Sequence, residues 1–345
     1  MKKNGRFAGA AVFIVILVAA IIYHNVHKPR LLILHSYDEG YAWVRDINAG
    51  LRRVLKSRGN RYFVRWYYLD TKRHPETEHK KSAGLVARRM IDDWQPDVII
   101  AMDDDAQEYV AKYYINKPGI SIVFGGVNEE PETYGYQKAD NVTGILERLP
   151  LEAVKEGLLT FSAKNGKRGL VRSFFIGDTS ETMVGDEKWI KSFRWDPVRL
   201  IGTKLVDTLD EWKAAVRQAS RSADYILTSN YRRIYRVRGE KELVPPKEMI
   251  DTTLSLSRIP VIGLNAFFAE DGGMLAIGTS PLEQGETAAD MAVDILEKRR
   301  SAGHMPIVTS TQAVVAIRES RLKKSGFAVP KIYEACARAA NYFFK

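Results

Sequence analysis

The feature that most constrains the fold is a regular alternation of short apolar runs with stretches of helical spacing, which begins at Leu31. The run LLIL (31–34) is followed by a helical pattern from Val44 to Leu55, and similar pairs then recur. DVIIAM (97–102) is continuously apolar, as are strands of a parallel sheet that is covered on both faces. This alternation predicts a doubly wound parallel α/β sheet as far as residue 127.

The alternation is interrupted once and then restarts. Residues 128–144 are rich in Pro, Gly and polar groups, a composition typical of a linker, and strand and helix patterns resume between Leu151 and Leu264. We therefore predict two similar α/β lobes. The tail is too short to fold alone, so we expect it to complete both lobes, and the chain to cross between them three times. The predicted lobe one comprises residues 31–130 plus 272–308, and lobe two comprises 131–271 plus 309–345.

The N-terminus differs from the rest of the chain. Three basic residues precede the uncharged stretch Phe7–Tyr23, whose 17 residues are close to the minimum for a membrane-spanning helix. We predict that residues 1–30 form a signal anchor in the cytoplasmic membrane, with the globular part in the periplasm or extracytoplasmic space. Cleavage after Val18–Ala20 would instead release that part to the periplasm.

Charge and cysteine content narrow the class of protein. The 345-residue chain has a net charge of +10, but its basic residues are scattered, and we expect no nucleic-acid partner outside the cytoplasm. The single cysteine excludes an internal disulfide, so the fold depends on its hydrophobic core.

Polar residues follow six of the predicted strands. In open α/β sheets this is the position at which ligands bind. Each turn also has a purely structural explanation. For example, Asp103–Asp105 could cap the next helix, and Gly125–Gly126 could be present simply because the turn requires glycine. Taken together, they describe two polar edges that face each other across a cleft. The six turns are 35–38, 103–105, 125–129, 177–180, 228–231 and 265–268.

Catalysis at the same turns is the alternative. Three consecutive aspartates, Asp103–Asp105, are compatible with a metal-dependent hydrolase or phosphatase. The chain has no phosphate-binding Walker loop, no GxSxG or HExxH motif, and no GxGxxG after its first strand. We therefore predict no cofactor, no bound metal and no enzymatic activity.

Several segments resemble a known family. LLILHSYDEGYAWVRDINAGL, PDVIIAMDDDAQEYV, ISIVFGGVNEEPETYG and NVTGILERLPLEAV are similar to the ABC transporter substrate-binding family that includes tryptophan and tyrosine binders. The same module also occurs as the extracytoplasmic sensor part of some histidine kinases. The tail, GTSPLEQGETAADMAVDILEKRRSAGHMPIV, is similar as well, so that the resemblance covers about residues 31–332.

The resemblance implies a type I periplasmic binding fold whose two lobes close on a ligand by a hinge motion. It also implies ligand-binding residues at the strand ends, among which we include the turn residue Gly126. From lobe one these are Ser36, Tyr37, Trp43, Asp104, Gly126 and Asn128, and from lobe two Thr179, Tyr231 and Asn265.

The expected function is that of a solute-binding protein for a small organic molecule, an amino acid or a related metabolite. Its partner would be an ABC permease or a separate membrane sensor protein. The alternatives are the hydrolase that would use Asp103–Asp105 and a scaffold whose cleft holds no ligand.

Overall fold

The computed structural model describes residues 13–18, 28–240 and 242–345. Within them, two sheets form the centres of two lobes. The strands are β1 Arg30–His35, β2 Phe63–Tyr68, β3 Val98–Met102, β4 Ser121–Val127, β5 Val142–Leu146, β6 Val171–Gly177, β7 Val198–Leu205, β8 Tyr225–Thr228, β9 Val261–Gly263, β10 Leu275–Thr279, β11 Val308–Thr309, β12 Ala313–Arg318 and β13 Phe343–Phe344.

Helices connect most of these strands. They are α1 Ala42–Ser57, α2 Thr77–Trp94, α3 Asp104–Tyr109, α4 Leu151–Lys164, α5 Glu181–Ser192, α6 Leu209–Ser222, α7 Pro246–Leu256, α8 Phe267–Glu270, α9 Pro281–Leu296, α10 Glu319–Ser325 and α11 Lys331–Ala339. The periodicity of α1 explains its position, because Val44, Ile47, Leu51 and Leu55 lie three or four residues apart and are all buried.

The strand order confirms two α/β lobes. The first sheet runs β11-β5-β4-β3-β1-β2 and is parallel throughout. The second runs β13-β12-β10-β9-β8-β6-β7, and its one antiparallel pair is β10 with β12. Apolar cores lie in both lobes, and β3 is buried along its whole length, as its uninterrupted apolar sequence predicts.

Two strands lie in the sheet opposite to the predicted one. We placed residues 142–146 in lobe two, but β5 pairs with β4 in the first sheet. We placed 272–308 wholly in lobe one, but β10 pairs with β9 and β12 in the second sheet, and only α9 and β11 return to lobe one. The pairing of a short apolar run is decided by partners that are distant in the chain. Strand β5 also lies in a segment of linker-like composition, which gave no sign of a strand.

Three chain crossings join the lobes, after β5, after β10 and after β11. They are tied together at Arg148, whose carbonyl oxygen accepts hydrogen bonds from Thr279 Oγ1 at 3.3 Å and Ser310 Oγ at 3.2 Å. Each of these residues lies on a different crossing. The three segments therefore meet in one hydrogen-bonded hinge.

The predicted N-terminal anchor lies largely outside the described residues. Of Phe7–Tyr23, only residues 13–18 are described, and they are helical and exposed. Among the described parts of the chain, no helix is both long and apolar enough to cross a membrane.

Candidate ligand cleft

The carboxyl ends of the two sheets face each other across the hinge, and the lobes touch at several points. Arg45 of α1 donates hydrogen bonds of 2.8 and 3.0 Å to Glu270 of lobe two. Lys80 is buried and its Nζ lies 3.0 Å from both Asp105, in its own lobe, and Glu181 of α5. The lobes are therefore closed at these points. Two cavities of about 30 Å³ each lie between them, and a larger one of about 310 Å³ opens beside these, bordered by Lys72, Arg232 and residues 243–246.

The first of these cavities is lined by acids, amides and aromatic rings, and we call it the acidic cavity. Asp103 is its most distinctive member, because it is 2% exposed and one of its two carboxylate oxygens has no described partner. Its other oxygen, Oδ1, accepts a 2.8 Å hydrogen bond from Trp43 Nε1. Burial raises the pKa of Asp103 well above its usual range. The lining comprises Tyr37, Tyr41, Trp43, Lys72, Asp103, Asn128, Glu147, Thr182, Ser229, Asn230, Asn265 and Phe267.

The backbone holds Asp103 in place at a cost. Its φ of 65° lies in the left-handed region, which non-glycine residues seldom adopt and which is found preferentially at functional sites. Gly126 makes room for the carboxylate, because a Cβ on that residue would lie 3.0 Å from Asp103 Oδ1. Gly126 also has a φ of 65°, so its lack of a side chain is required twice.

Lobe two supplies a second free acceptor. Asn265 donates through Nδ2 to the carbonyl oxygen of Ser229 at 3.2 Å and to its hydroxyl at 3.0 Å, while Asn265 Oδ1 is buried without a described partner. The Ser229 hydroxyl in turn donates to Asp186 at 2.6 Å. Burial raises the pKa of Asp186 to about 7, and it also raises the pKa of Glu147, which lines the same cavity. These groups would be stabilised in their ionised form by a cation.

Aromatic rings form the side walls. Tyr37 and Tyr41 meet edge to face with centroids 5.4 Å apart, and Tyr41 lies 6.1 Å from Phe267 across the lobe boundary. Arg232 covers both Tyr41 and Phe267, at 5.1 and 4.8 Å from their ring centroids. The walls can therefore stack on a planar or apolar group.

The second cavity is lined by cations, and we call it the basic cavity. Lys72, Lys80, Arg232 and Arg233 all border it. Lys80 and Arg232 are paired with carboxylates, at Asp105 and Asp271 respectively. Lys72 has no hydrogen bond or ion pair to any described residue, and burial lowers its pKa. Its Nζ lies 4.7 Å from the ring centroid of Tyr37, and both residues line the two cavities.

The predicted site residues divide into two groups. Tyr37, Trp43, Asn128 and Asn265 line the acidic cavity, and Gly126 shapes it through its contact with Asp103. The other four side chains form hydrogen bonds elsewhere in the protein; these are Ser36, Asp104, Thr179 and Tyr231.

Each of those four side chains bonds to the protein itself. Ser36 Oγ donates to the Met102 carbonyl and accepts from the Ala106 N–H, both at 2.8 Å. Asp104 accepts from the backbone N–H groups of Asn128 and Glu129 and from Tyr134. Thr179 donates to Asp207, and Tyr231 donates to Asp271 from within the lobe-two core. None of the four lines either cavity.

Several cleft residues were missing from the predicted site, among them Asp103, Lys72 and Glu147 of the acidic cavity and Asp186, which accepts a hydrogen bond from Ser229. Lys72 follows β2, Glu147 begins the first crossing, and Asp186 lies within α5. Lys72 lies at a strand end like the others, and the same rule would have found it. Glu147 also follows a strand, β5, but that strand was not predicted. Asp186 lies inside a helix and carries no comparable signal, because its place in the cleft depends on lobe closure.

The three aspartates of the hydrolase alternative do not converge. Asp103 faces Trp43, Asp104 bonds to the 128–134 segment, and Asp105 bonds to Lys80. Among the described residues no group of three His, Cys, Asp or Glu side chains is arranged to hold a metal ion. The arrangement gives metal-dependent chemistry no geometric support.

Comparison with known proteins gives a family match and a fold match. The family model for ABC transporter substrate binding proteins matches residues 226–339. None of the curated proteins is significantly similar to the chain in sequence.

Three solved structures share the fold over most of the chain, each with a TM-score of 0.63. A conserved domain protein from Vibrio cholerae is 17% identical, and the match covers 92% of this chain and 100% of that one. The ABC domain of Streptococcus pneumoniae, in complex with L-Trp, is 14% identical, with 90% and 98% covered. A substrate binding protein with adhesive properties from Clostridium difficile, in its ligand-free open form, is 16% identical, with 88% and 96% covered.

At these identities the structural matches establish the fold alone, and the family match adds sequence evidence over most of the C-terminal third of the chain. Two parallel-sheet lobes with three crossings fit a type I periplasmic binding protein. The predicted resemblance of this chain to the ABC transporter substrate-binding family is thereby confirmed.

Proposed function

We propose that the chain is an extracytoplasmic solute-binding protein that closes its lobes on a small organic molecule bearing both an amino group and an acidic group, an amino acid or a related metabolite. The observation that carries the proposal is the polarity of the closed cleft. Free acceptors lie in the acidic cavity, unpaired cations border the basic cavity, and Tyr37 and Lys72 lie between them.

The acidic cavity suits an ammonium group. Asp103 Oδ2 and Asn265 Oδ1 are buried acceptors without described partners, and they come from opposite lobes. An ammonium group has three donors and could satisfy both atoms at once. A hydrogen bond to a charged group contributes about 1.5–3 kcal/mol, so this contact would also favour the closed state.

The basic cavity suits the acidic group of the same ligand. Lys72 and Arg233 line it without an ion pair to any described residue, and Arg233 Nε is buried without a described partner. The acidic and the basic cavity each have room for about one water molecule. The walls must therefore separate to admit the ligand, which is the hinge motion that three crossing segments allow.

We further propose the partner and the location of the protein. A solute-binding protein of this fold would deliver its ligand to an ABC permease or present it to a separate membrane sensor. The apolar stretch Phe7–Tyr23 would anchor it in the cytoplasmic membrane, unless cleavage releases the lobes to the periplasm. The family match to substrate-binding proteins supports this placement.

A thermal-shift screen of the full-length chain in a nonionic detergent tests the proposal. We would screen L-amino acids first, and then the amine and the carboxylic acid analogue of each hit. A ligand at a hundred times its dissociation constant stabilises a fold by about 2.7 kcal/mol. Amino acids should shift the melting temperature by a few degrees, whereas analogues lacking either charged group should shift it less.

A variant and its matched control test the ammonium end of the ligand. Asp103→Asn should weaken binding of the amino acid roughly tenfold to a hundredfold, from the value of a charged hydrogen bond. Affinity should rise with pH, because burial raises the pKa of Asp103 and this residue must lose its proton to bind an ammonium group. The control is Asp93→Asn, at an exposed site near the end of α2.

Two results would contradict the proposal. Tight binding of ligands that lack an amine, unaffected by Asp103→Asn, would refute the assigned polarity. No shift with any compound of the panel would favour the ligand-free scaffold, and metal-dependent turnover of a phosphate ester would favour the hydrolase.

A further inference from the structure

Lobe two contains a cavity that is larger than those between the lobes. Its volume is about 640 Å³, and we call it the distal pocket. It lies between the end of α7, the start of β9 and the turn after α10. Strand β9 begins beside this pocket at Val261 and leads to Asn265 in the cleft, so the two sites lie at opposite ends of the strand.

The interior of the distal pocket is apolar. Val261 and Met274 are buried in its floor, and Leu254, Ile259 and Phe327 form half-buried walls. The volume is within the range of about 300–1,000 Å³ that small-molecule sites occupy. An apolar concavity of this size can cover a ligand with the bulk of one or two rings.

Hydrogen bonds hold the walls in position. Asn165 donates to the Ala328 carbonyl and accepts from the Ala328 N–H, both at 2.9 Å, which places the neighbouring Phe327. Phe327 in turn packs edge to face against Phe161. On the other side, Ser257 Oγ donates to the Ile259 carbonyl at 2.6 Å. A ligand would therefore not have to order these walls, which favours binding.

The rim of the pocket is positively charged. Arg258 and Lys324 are exposed there, and neither forms an ion pair with any described residue. Arg321 is paired with Asp251, so three cations and one carboxylate leave a surplus of two positive charges. The carbonyl ends of α7 and α10 lie near the same rim and offset part of this charge.

We propose that the distal pocket binds an amphipathic organic anion, with its apolar body on the Val261 and Met274 floor and its sulfonate, phosphate or carboxylate group between Arg258 and Lys324. This ligand is distinct from that of the cleft. The apolar floor supplies most of the affinity, and the rim selects the anion over a neutral molecule of the same shape.

Isothermal titration calorimetry with naphthalene-2-sulfonate tests the inference. The full-length chain is used in a nonionic detergent, with a titration into empty micelles subtracted. The sulfonate should bind with a dissociation constant below about 1 mM. The double variant R258Q/K324Q should weaken it roughly fivefold, because two exposed charges are lost. Neutral 2-naphthol should bind equally to both proteins.

Two further variants separate the pocket from general charge effects. Ser255→Trp places an indole at the exposed mouth of the pocket and should abolish binding. The charge-matched control R194Q/R199Q removes two exposed cations outside the pocket and should leave the affinity unchanged, as should Asp103→Asn in the cleft. Unchanged affinity in both pocket variants, or no saturable heat at about 5 mM sulfonate, would overturn the proposal.

Discussion

His35 should make the protein lose stability in mild acid. It ends β1, is fully buried, and stacks on Tyr68 and Trp66 at centroid distances of 5.3 and 6.2 Å. Neither ring nitrogen has a described hydrogen-bond partner that meets normal geometry. Burial lowers its pKa from 6.5 to about 3. Asn48 opposes this shift, and the charge of Arg52 adds to it by a smaller amount.

The sign and size of the effect follow from proton linkage. A lowered pKa means that the unfolded chain binds the proton more tightly, so the free energy of unfolding falls as the pH drops below about 6.5. Between pH 8 and pH 5 the expected loss is about 2 kcal/mol. Both pH values lie above the pKa of His35 in the folded state, so its pKa in the unfolded chain determines most of this loss of stability.

The assay is urea unfolding of wild type and of His35→Phe at pH 8 and pH 5, followed by tryptophan fluorescence and circular dichroism. Phenylalanine keeps the aromatic stack and cannot titrate. Any offset at pH 8 caused by its larger ring cancels, since only the change between the two pH values is compared. Wild type should lose about 2 kcal/mol more than the variant.

Equal losses in the two proteins would refute the reasoning. So would an NMR titration in which the His35 imidazole takes up its proton above pH 5 in the folded state. Either result would mean that water or a local rearrangement solvates the ring.

Two other predictions concern the packing of the lobes. Gly285→Ala should destabilise the fold by about 1–3 kcal/mol, because a Cβ there would lie 2.2 Å from the Ile47 carbonyl oxygen where α9 crosses α1. The control is Gly185→Ala in α5, where a Cβ has space and the change should be slightly stabilising. Equal effects of the two variants on urea unfolding would contradict this reasoning. Glu181→Gln removes the exposed partner of Lys80 across the cleft and should shift the lobes toward the open state by at most about 1 kcal/mol, seen as a larger radius of gyration in X-ray scattering. The control is Glu152→Gln, whose partner Lys155 lies in the same helix, and no difference between the two variants would argue against an interlobe role.

The parts of the fold that could be predicted are those that local pattern determines. The alternation of apolar runs and helical spacing identified the two α/β lobes, because a buried parallel strand such as β3 must be apolar along its length. The sheet to which each strand belongs depends on partners far away in the chain. Strand β5 illustrates this, since its central Gly144 lies so close to Phe124 that a Cβ would meet the Phe124 carbonyl at 2.4 Å. Its place in lobe one follows from that contact.

The strand-end rule predicts residues that border the cleft, but it cannot tell side chains with free atoms from those that are bonded within the protein. A polar side chain at a strand end can bind either a ligand or the protein backbone, because the backbone N–H and C=O groups there also need hydrogen-bond partners once the lobes have folded. Ser36 is used in this way, and Asp104 binds two backbone N–H groups as well as the Tyr134 hydroxyl. Asp103 and Asn265 each use one atom to hold themselves in place and keep another buried and free. A buried atom left without a partner costs free energy that a ligand can recover. This free atom, and not polarity as such, is therefore the reason that we propose Asp103 and Asn265 as binding residues.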